Sequence, residues 1–100
     1  MAMTIKINDK EYRFEYRGFG PLYTYEVITG EVFKAASMRS LHVLLYATLL
    51  NGNREEFAMG LEEFLEWLYE HPVQEKAMAQ AVADEHSRRN ELAAATAKKK

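Results

Sequence analysis

The sequence predicts an α+β domain that is mostly α, with an N-terminal β-hairpin packed on a small bundle of about four helices and the last helix projecting. Three observations predict this fold. Apolar and polar residues alternate near the N-terminus, apolar residues recur at helical spacing from about residue 21, and the C-terminal stretch combines helix formers with few apolar residues. One hundred residues suffice for a single domain with a modest core.

The hairpin is predicted over residues 3–17. Period-two alternation continues on both sides of an Asn-Asp turn at residues 8–10, which is typical of two antiparallel strands with one apolar face. A hairpin alone is marginally stable in water, so we expect this face to pack on the helix that contains Leu44 and Leu45. The residues of the apolar face are Met3, Ile5, Ile7, Tyr12, Phe14 and Tyr16.

Four helices are predicted, at about residues 21–29, 38–50, 60–70 and 73–83. Gly30 is the expected stop of the first, and either Ser37 or Ser40 can cap the second. His71 should end the third, because a residue before proline is pushed out of the helical region. In the connector after Gly30 we expect Val32 and Phe33 to point inward.

The second helix is apolar on nearly all faces, which predicts that it lies at the centre of the bundle. The segment after it, residues 54–60, is predicted to be a loop anchored by Phe57 and Met59. Residues 1–83 then form one globular domain. Residues 84–100 form a helical or frayed arm, since they favour helix but offer little apolar surface to bury.

The composition of the chain excludes several kinds of site and partner. The chain has no cysteine and a formal net charge of -2, which excludes disulfides and cysteine-based zinc sites and gives no general attraction to nucleic acid. The N-terminus lacks the apolar run of a signal peptide, and the longest apolar stretch, residues 43–50, is too short to span a membrane. We therefore expect a protein of the cytoplasm with no membrane partner.

Catalytic patterns are not found in the sequence. His42, His71 and His86 lie far apart on different predicted elements, without the spacing of a zinc site. Gly18 and Gly20 lack the third glycine of a dinucleotide-binding loop, and no serine has the context of a nucleophile elbow. The sequence therefore predicts no catalytic, cofactor-binding or metal-binding residue, and a protein that is not an enzyme.

Acidic residues cluster on the third predicted helix. They have two interpretations: the solvated face of a surface helix, or an acidic rim that recruits a basic or mixed partner beside an apolar groove. The residues are Glu62, Glu63, Glu66 and Glu70.

The hairpin aromatics suggest a second function class. Tyr12, Phe14 and Tyr16 on one strand resemble a base-stacking platform, so a small nucleic-acid-binding regulator or adaptor is the alternative. Such a platform needs a basic surround, whereas Glu11 and Glu15 lie on the same strand. Binding to phosphates would weaken steeply with salt, and capture of an apolar helix would not.

The order of the segments resembles the tail assembly chaperones of long-tailed bacteriophages and prophages. The resemblance covers roughly residues 10–70 and includes an aromatic-rich segment, a leucine-tyrosine helix and an acidic-apolar helix. The matching residues are Tyr23, Glu26, Thr29, Gly30 and Phe33, then Leu44, Leu45 and Tyr46, then Glu62, Glu63, Phe64 and Leu65.

This resemblance implies a non-enzymatic role without a cofactor. Members of the family coat the long helical tape-measure protein, keep it soluble and help tail-tube subunits polymerise around it in the bacterial cytoplasm. The implied partners are the tape-measure and tail-tube proteins, and a homo-oligomer stays open. Many of these genes are read in two frames, so Lys98, Lys99 and Lys100 suggest an adenine run at which ribosomes slip to make a longer product.

Overall fold

A computed structural model describes residues 2–98 and has the α+β, mostly α architecture that the sequence predicts. A two-stranded antiparallel hairpin comes first and is followed by helices. In chain order the elements are β1 (Met3–Ile7), β2 (Lys10–Phe14), α1 (Gly20–Thr29), α2 (Met38–Gly52), α3 (Leu61–Glu70) and α4 (Pro72–Lys98).

The hairpin turns through two residues in the left-handed region, Asn8 with φ 51° and Asp9 with φ 68°. Asn and Asp tolerate this region better than most residues, and two positive φ angles match the twist of antiparallel strands. The turn sets a register in which Met3 pairs with Phe14. Because Met3 begins β1, the ladder ends at Phe14, short of the predicted end at residue 17.

One amide side chain joins the hairpin to the end of α2. Asn53 accepts the Arg13 N–H through Oδ1 at 3.1 Å and donates from Nδ2 to the Arg13 carbonyl at 2.8 Å. The same Nδ2 donates to the Leu49 carbonyl at 2.8 Å. Asn53 therefore caps the helix and pairs with the strand, which holds the apolar face of the hairpin in one core with Leu44 and Leu45.

α1 lies against α2, and Gly20 at its start faces the side chain of Asn51. A Cβ built on Gly20 would lie 2.8 Å from Nδ2 of Asn51, which is closer than real Cβ contacts come. At its other end α1 stops at Gly30, whose φ of 76° is left-handed, as predicted. Of the two serines predicted as possible caps of α2, Ser37 is the N-cap, and its hydroxyl accepts the Ser40 N–H at 3.1 Å.

α2 is the central helix, as its apolar pattern predicts. Its middle is fully enclosed, and the Thr48 hydroxyl donates within the helix to the Leu44 carbonyl at 2.8 Å. Phe57, the predicted loop anchor, is buried with its ring centroid 5.1 Å from that of Tyr12 and 5.5 Å from that of Tyr46. Hairpin, loop and central helix therefore share one aromatic cluster.

The connector between α1 and α2 differs from the prediction in one residue. Phe33 is half-buried and meets Tyr25 edge-on at 5.2 Å, as expected, but Val32 is exposed. The prediction for Val32 was wrong because neighbouring side chains of a non-helical segment point to different sides. Burial of the larger Phe33 turns Val32 outward.

α4 is one helix from Pro72 to Lys98, and it joins the predicted fourth helix to most of the segment predicted as a helical or frayed arm. Val82, Glu85 and His86 are still buried or half-buried against the body. The packed part of α4 therefore passes the predicted boundary at residues 83 and 84, because polar contacts replace apolar ones there. From residue 90 to 97 every side chain is exposed. We name residues 90–98 the arm.

The slippage hypothesis falls partly beyond this description. Lys98 is the last residue of α4, whereas Lys99 and Lys100 lie outside the described residues. Among residues 2–98, no helix is both long enough and apolar enough to cross a membrane.

Candidate functional site: an apolar groove between three helices

Two adjoining depressions run across the face where α2, α3 and α4 meet. The first, about 510 Å³, lies between the connector and α4, with Phe33, Leu41 and Val82 among its lining residues. The second, about 390 Å³, lies between the start of α2 and the end of α3 and is bordered mainly by apolar side chains. Both include Met38 and Glu75, so they form one surface, which we name the apolar groove.

The lips of this groove carry large apolar side chains in solvent. Met38 is 73% exposed and Tyr69 is 89% exposed, whereas their neighbours Leu65 and Leu68 are half-buried and buried. Isolated exposed apolar residues are ordinary, but a run of them along a concave apolar surface marks a site of protein contact. The groove has the form that receives the apolar face of an amphipathic helix.

A polar pair lies where the two depressions join. Nε2 of His42 on α2 is 2.8 Å from Oε2 of Glu75 on α4, and both side chains are largely shielded from solvent. The pair ties the two helices together across the groove floor. It also leaves a hydrogen-bonding group within reach of a partner side chain that enters between the two apolar halves.

The acidic residues of α3 do not form a single rim around this groove. Helical residues turn by about 100° each, which puts Glu62 and Glu66 beside the groove-lining Tyr69 and puts Glu63 and Glu70 on the side away from it.

The contacts of two of these glutamates agree with that division. Glu62 forms an exposed ion pair with Arg39 of α2 at 3.0 Å, next to Met38. Glu63 borders a different depression, which α3 forms with the hairpin turn. The predicted rim therefore divides into a groove side and a hairpin side.

The hairpin aromatics point into the protein. Phe14 and Tyr16 are buried, and Tyr12 is half-buried against Phe57. A base-stacking platform needs ring faces open to solvent. Packing of the hairpin against the helices uses these faces instead, so the platform suggested by the sequence is not presented.

The three histidines sit in three separate places, each bonded within the fold. His42 pairs with Glu75, and Nδ1 of His71 lies 2.7 Å from the carbonyl oxygen of Trp67, to which it donates. His86 hydrogen-bonds to the Tyr16 hydroxyl at 2.7 Å. Among residues 2–98, no group of three or more His, Cys, Asp or Glu side chains is placed to hold a metal ion.

A polar cluster joins the exit of the hairpin to α4. Arg88 donates two hydrogen bonds to Glu85, both at 2.9 Å, and this contact holds the pKa of the Glu85 carboxyl below its ordinary 4.5. Burial raises the pKa of Tyr16, which lies beside the same cluster. A depression of about 440 Å³ opens next to these residues, between β1 and α4. The ion pair of Glu85 with Arg88 is structural, because both carboxylate oxygens of Glu85 accept hydrogen bonds from Arg88.

Sequence reasoning named the acidic helix but missed the groove residues. Met38 lies at helical spacing before Leu41 and Leu45, at the start of the apolar stripe of α2, and Tyr69 interrupts the acidic face of α3. The available signals were an apolar stripe that extends to the first residue of α2 and a large aromatic residue on an otherwise polar face. Comparison of the chain with protein-family models, curated proteins and solved structures gives no match.

Proposed function

We propose that the protein is a non-enzymatic assembly chaperone that binds an amphipathic helix of a partner in the apolar groove. The observation that carries this proposal is the groove itself, apolar through two joined depressions and open to solvent at Met38 and Tyr69. The resemblance to tail assembly chaperones supplies the partner. In that reading the bound helix belongs to a tape-measure protein, and the tail-tube protein is the second partner.

Helix capture follows from the shape and chemistry of the groove. Each depression takes apolar side chains of an incoming helix, and the rings and thioether at the lips cover them. Burial of that surface stabilises the complex at about 25 cal/mol per Å² before the entropy cost of association. Because the groove is apolar and open to solvent, one groove accepts successive segments of a long helix, as a coat for a tape-measure protein requires.

The residues that carry the resemblance support the scaffold more than the contact. Leu44, Leu45 and Phe64 are fully buried, and Gly30 provides the left-handed stop of α1. Phe33 and Leu65 are the members of the set that line the groove. The shared motif thus accounts for the fold that positions the groove, and the groove accounts for the function.

The test is co-production in bacteria with a candidate tape-measure protein, chosen as the product of a very long helical reading frame among the neighbouring genes. We expect the native chain to raise the soluble yield of the tape-measure protein severalfold and to co-purify with it. Met38→Glu places a charge on the lip of the groove at an exposed position, so the fold should persist while the yield falls toward that without the chain.

Val73→Glu is the matched control, because Val73 is exposed on α4 and is not among the residues that line the groove. It should retain the soluble yield. A tape-measure protein that stays equally insoluble with the native chain would refute the proposal. Capture that weakens steeply between low and high salt would instead indicate phosphate binding and the nucleic-acid alternative.

The rim is tested by charge reversal on the two sides of α3. Glu62→Lys, on the groove side, should change the salt dependence of capture, whereas Glu63→Lys, on the hairpin side, should leave it unchanged. Equal effects would show that the acidic helix acts only through net charge.

A further inference from the structure

An apolar stripe on α1 is left uncovered. Phe19, Tyr23 and Val27 follow one another at four-residue spacing, and they are 51%, 61% and 85% exposed. The rings of Phe19 and Tyr23 stack with their centroids 5.9 Å apart, so the stripe has a defined surface. It lies on a different helix from those that form the apolar groove. We name it the α1 stripe.

A second uncovered surface continues the buried face of α4. Met78, Val82 and Glu85 are buried against the body, and their alternating spacing of four and three is that of a coiled-coil seam. The same spacing continues through Arg89 to Leu92, which is 52% exposed and has left the body. The side of the arm that continues this seam carries Leu92 and Ala95 beside Thr96, and these side chains are exposed in the single chain.

The two surfaces meet at one contact. The Arg89 guanidinium lies over the ring of Phe19, 5.0 Å from its centroid. Beyond that contact α4 contains no glycine or proline, so nothing in its sequence favours a kink that would fold the arm back onto its own α1. A single chain leaves both surfaces open, although they lie next to each other.

We propose that the arm of one copy packs along the α1 stripe of a second copy, and that the arm of the second copy packs in the same way along the α1 stripe of the first. The lengths match, since nine arm residues and ten α1 residues each span about 15 Å at 1.5 Å per residue. The reciprocal arrangement is a closed two-fold dimer in which each copy contributes the same two surfaces. This inference does not depend on the proposed chaperone function.

Charges choose the orientation of the two helices. Glu26 is the charged residue of α1, and the first turn of α1 holds no acidic residue to offset the positive end of its dipole. The arm has Glu91 near its start. A parallel arrangement brings Glu91 to the positive end of α1, so this contact is favourable.

Sedimentation velocity of the full chain over about a hundredfold range of concentration tests the proposal. The expected result is a monomer–dimer equilibrium without larger species. Val27→Glu and Leu92→Glu should each weaken the association at least tenfold, because each puts a charge in the apolar contact at an exposed position that tolerates it in the monomer. Circular dichroism of each variant checks that the fold is retained.

Met38→Glu is the control, because Met38 is equally exposed but lies in the apolar groove. It should dimerise as the native chain does. A native chain that stays monomeric throughout the range would overturn the proposal and leave the α1 stripe to a different protein. Dimers unaffected by Val27→Glu or Leu92→Glu would place the interface elsewhere and overturn it as well.

A mixture of the two variants separates this arrangement from packing of stripe against stripe. In the mixture the intact arm of the Val27→Glu copy can meet the intact stripe of the Leu92→Glu copy. We expect the mixture to associate more strongly than either variant alone. A mixture that associates no more strongly than either variant alone would contradict a contact between the arm and the α1 stripe.

Discussion

The Tyr16 hydroxyl lies 2.7 Å from Nε2 of His86, and this hydrogen bond joins the exit of the hairpin to α4 across 70 residues of sequence. The two rings also meet edge-on, with centroids 5.3 Å apart. The contact explains why α4 stays docked beyond the point where its apolar residues end. His86 takes the place that an apolar residue would hold in a longer stripe.

Tyr16→Phe tests that contact, since it removes the hydroxyl and keeps the ring. We expect the free energy of unfolding to fall by about 1 kcal/mol, the usual net value of a hydrogen bond whose partner is left shielded. Urea denaturation measures the change. Tyr23→Phe, on an exposed tyrosine, is the control and should leave the midpoint where it is. Equal shifts in both variants would mean that the hydrogen bond contributes nothing.

Leu45→Ala tests the central position of α2. Leu45 is fully buried in the same core as the hairpin face, so the cavity should cost on the order of 2–5 kcal/mol. Val73→Ala, at an exposed position of α4, should cost almost nothing. Chemical denaturation of both variants gives the comparison. An unchanged midpoint for Leu45→Ala would rule out its place in the core.

Glu85→Gln tests the ion pair with Arg88 through pH. Because the folded-state pKa of Glu85 is depressed, the pair adds stability above the ordinary pKa of 4.5, and this contribution is lost as pH falls through the folded-state pKa. The variant should be less stable than the native chain at neutral pH and should converge with it in acid. Thermal unfolding from about pH 7 to about pH 2.5 follows the convergence.

Glu91→Gln is the companion control, because Glu91 lies on the exposed arm. In dilute, monomeric protein its stability should track that of the native chain at every pH. A difference in stability between Glu85→Gln and the native chain could persist at the acid end of the range. That result would show that the glutamine disturbs packing and that the loss of charge is not the cause.

Amide hydrogen exchange tests where α4 leaves the body. In dilute, monomeric protein we expect protection to extend through about Arg89 and to be lost along the arm, since an unpacked helix end of this length is marginal. Fast exchange that already begins at residue 84 would restore the boundary predicted from sequence. Raising the protein concentration should extend protection into the arm if a second copy covers it.

Part of the groove could be read from the sequence, and part could not. The acidic residues of α3 were visible as a cluster, because they lie close together in the sequence of one helix. His42 and Glu75 are 33 residues apart on different helices, and no spacing rule connects them. The role of Met38 and Tyr69 depends on the concave surface between α2, α3 and α4, and that surface exists only after those helices pack.

The sequence by itself determined the features that depend on neighbouring residues. The Asn-Asp turn, the left-handed stop at Gly30, a serine cap of α2 at Ser37 or Ser40 and the break before Pro72 are all set by local backbone and hydrogen-bonding preferences. Only the tertiary structure decided that Val32 faces solvent and that α4 stays docked as far as Arg89. Those outcomes depend on which distant side chains compete for the same buried volume, and hydrophobic periodicity does not contain that information.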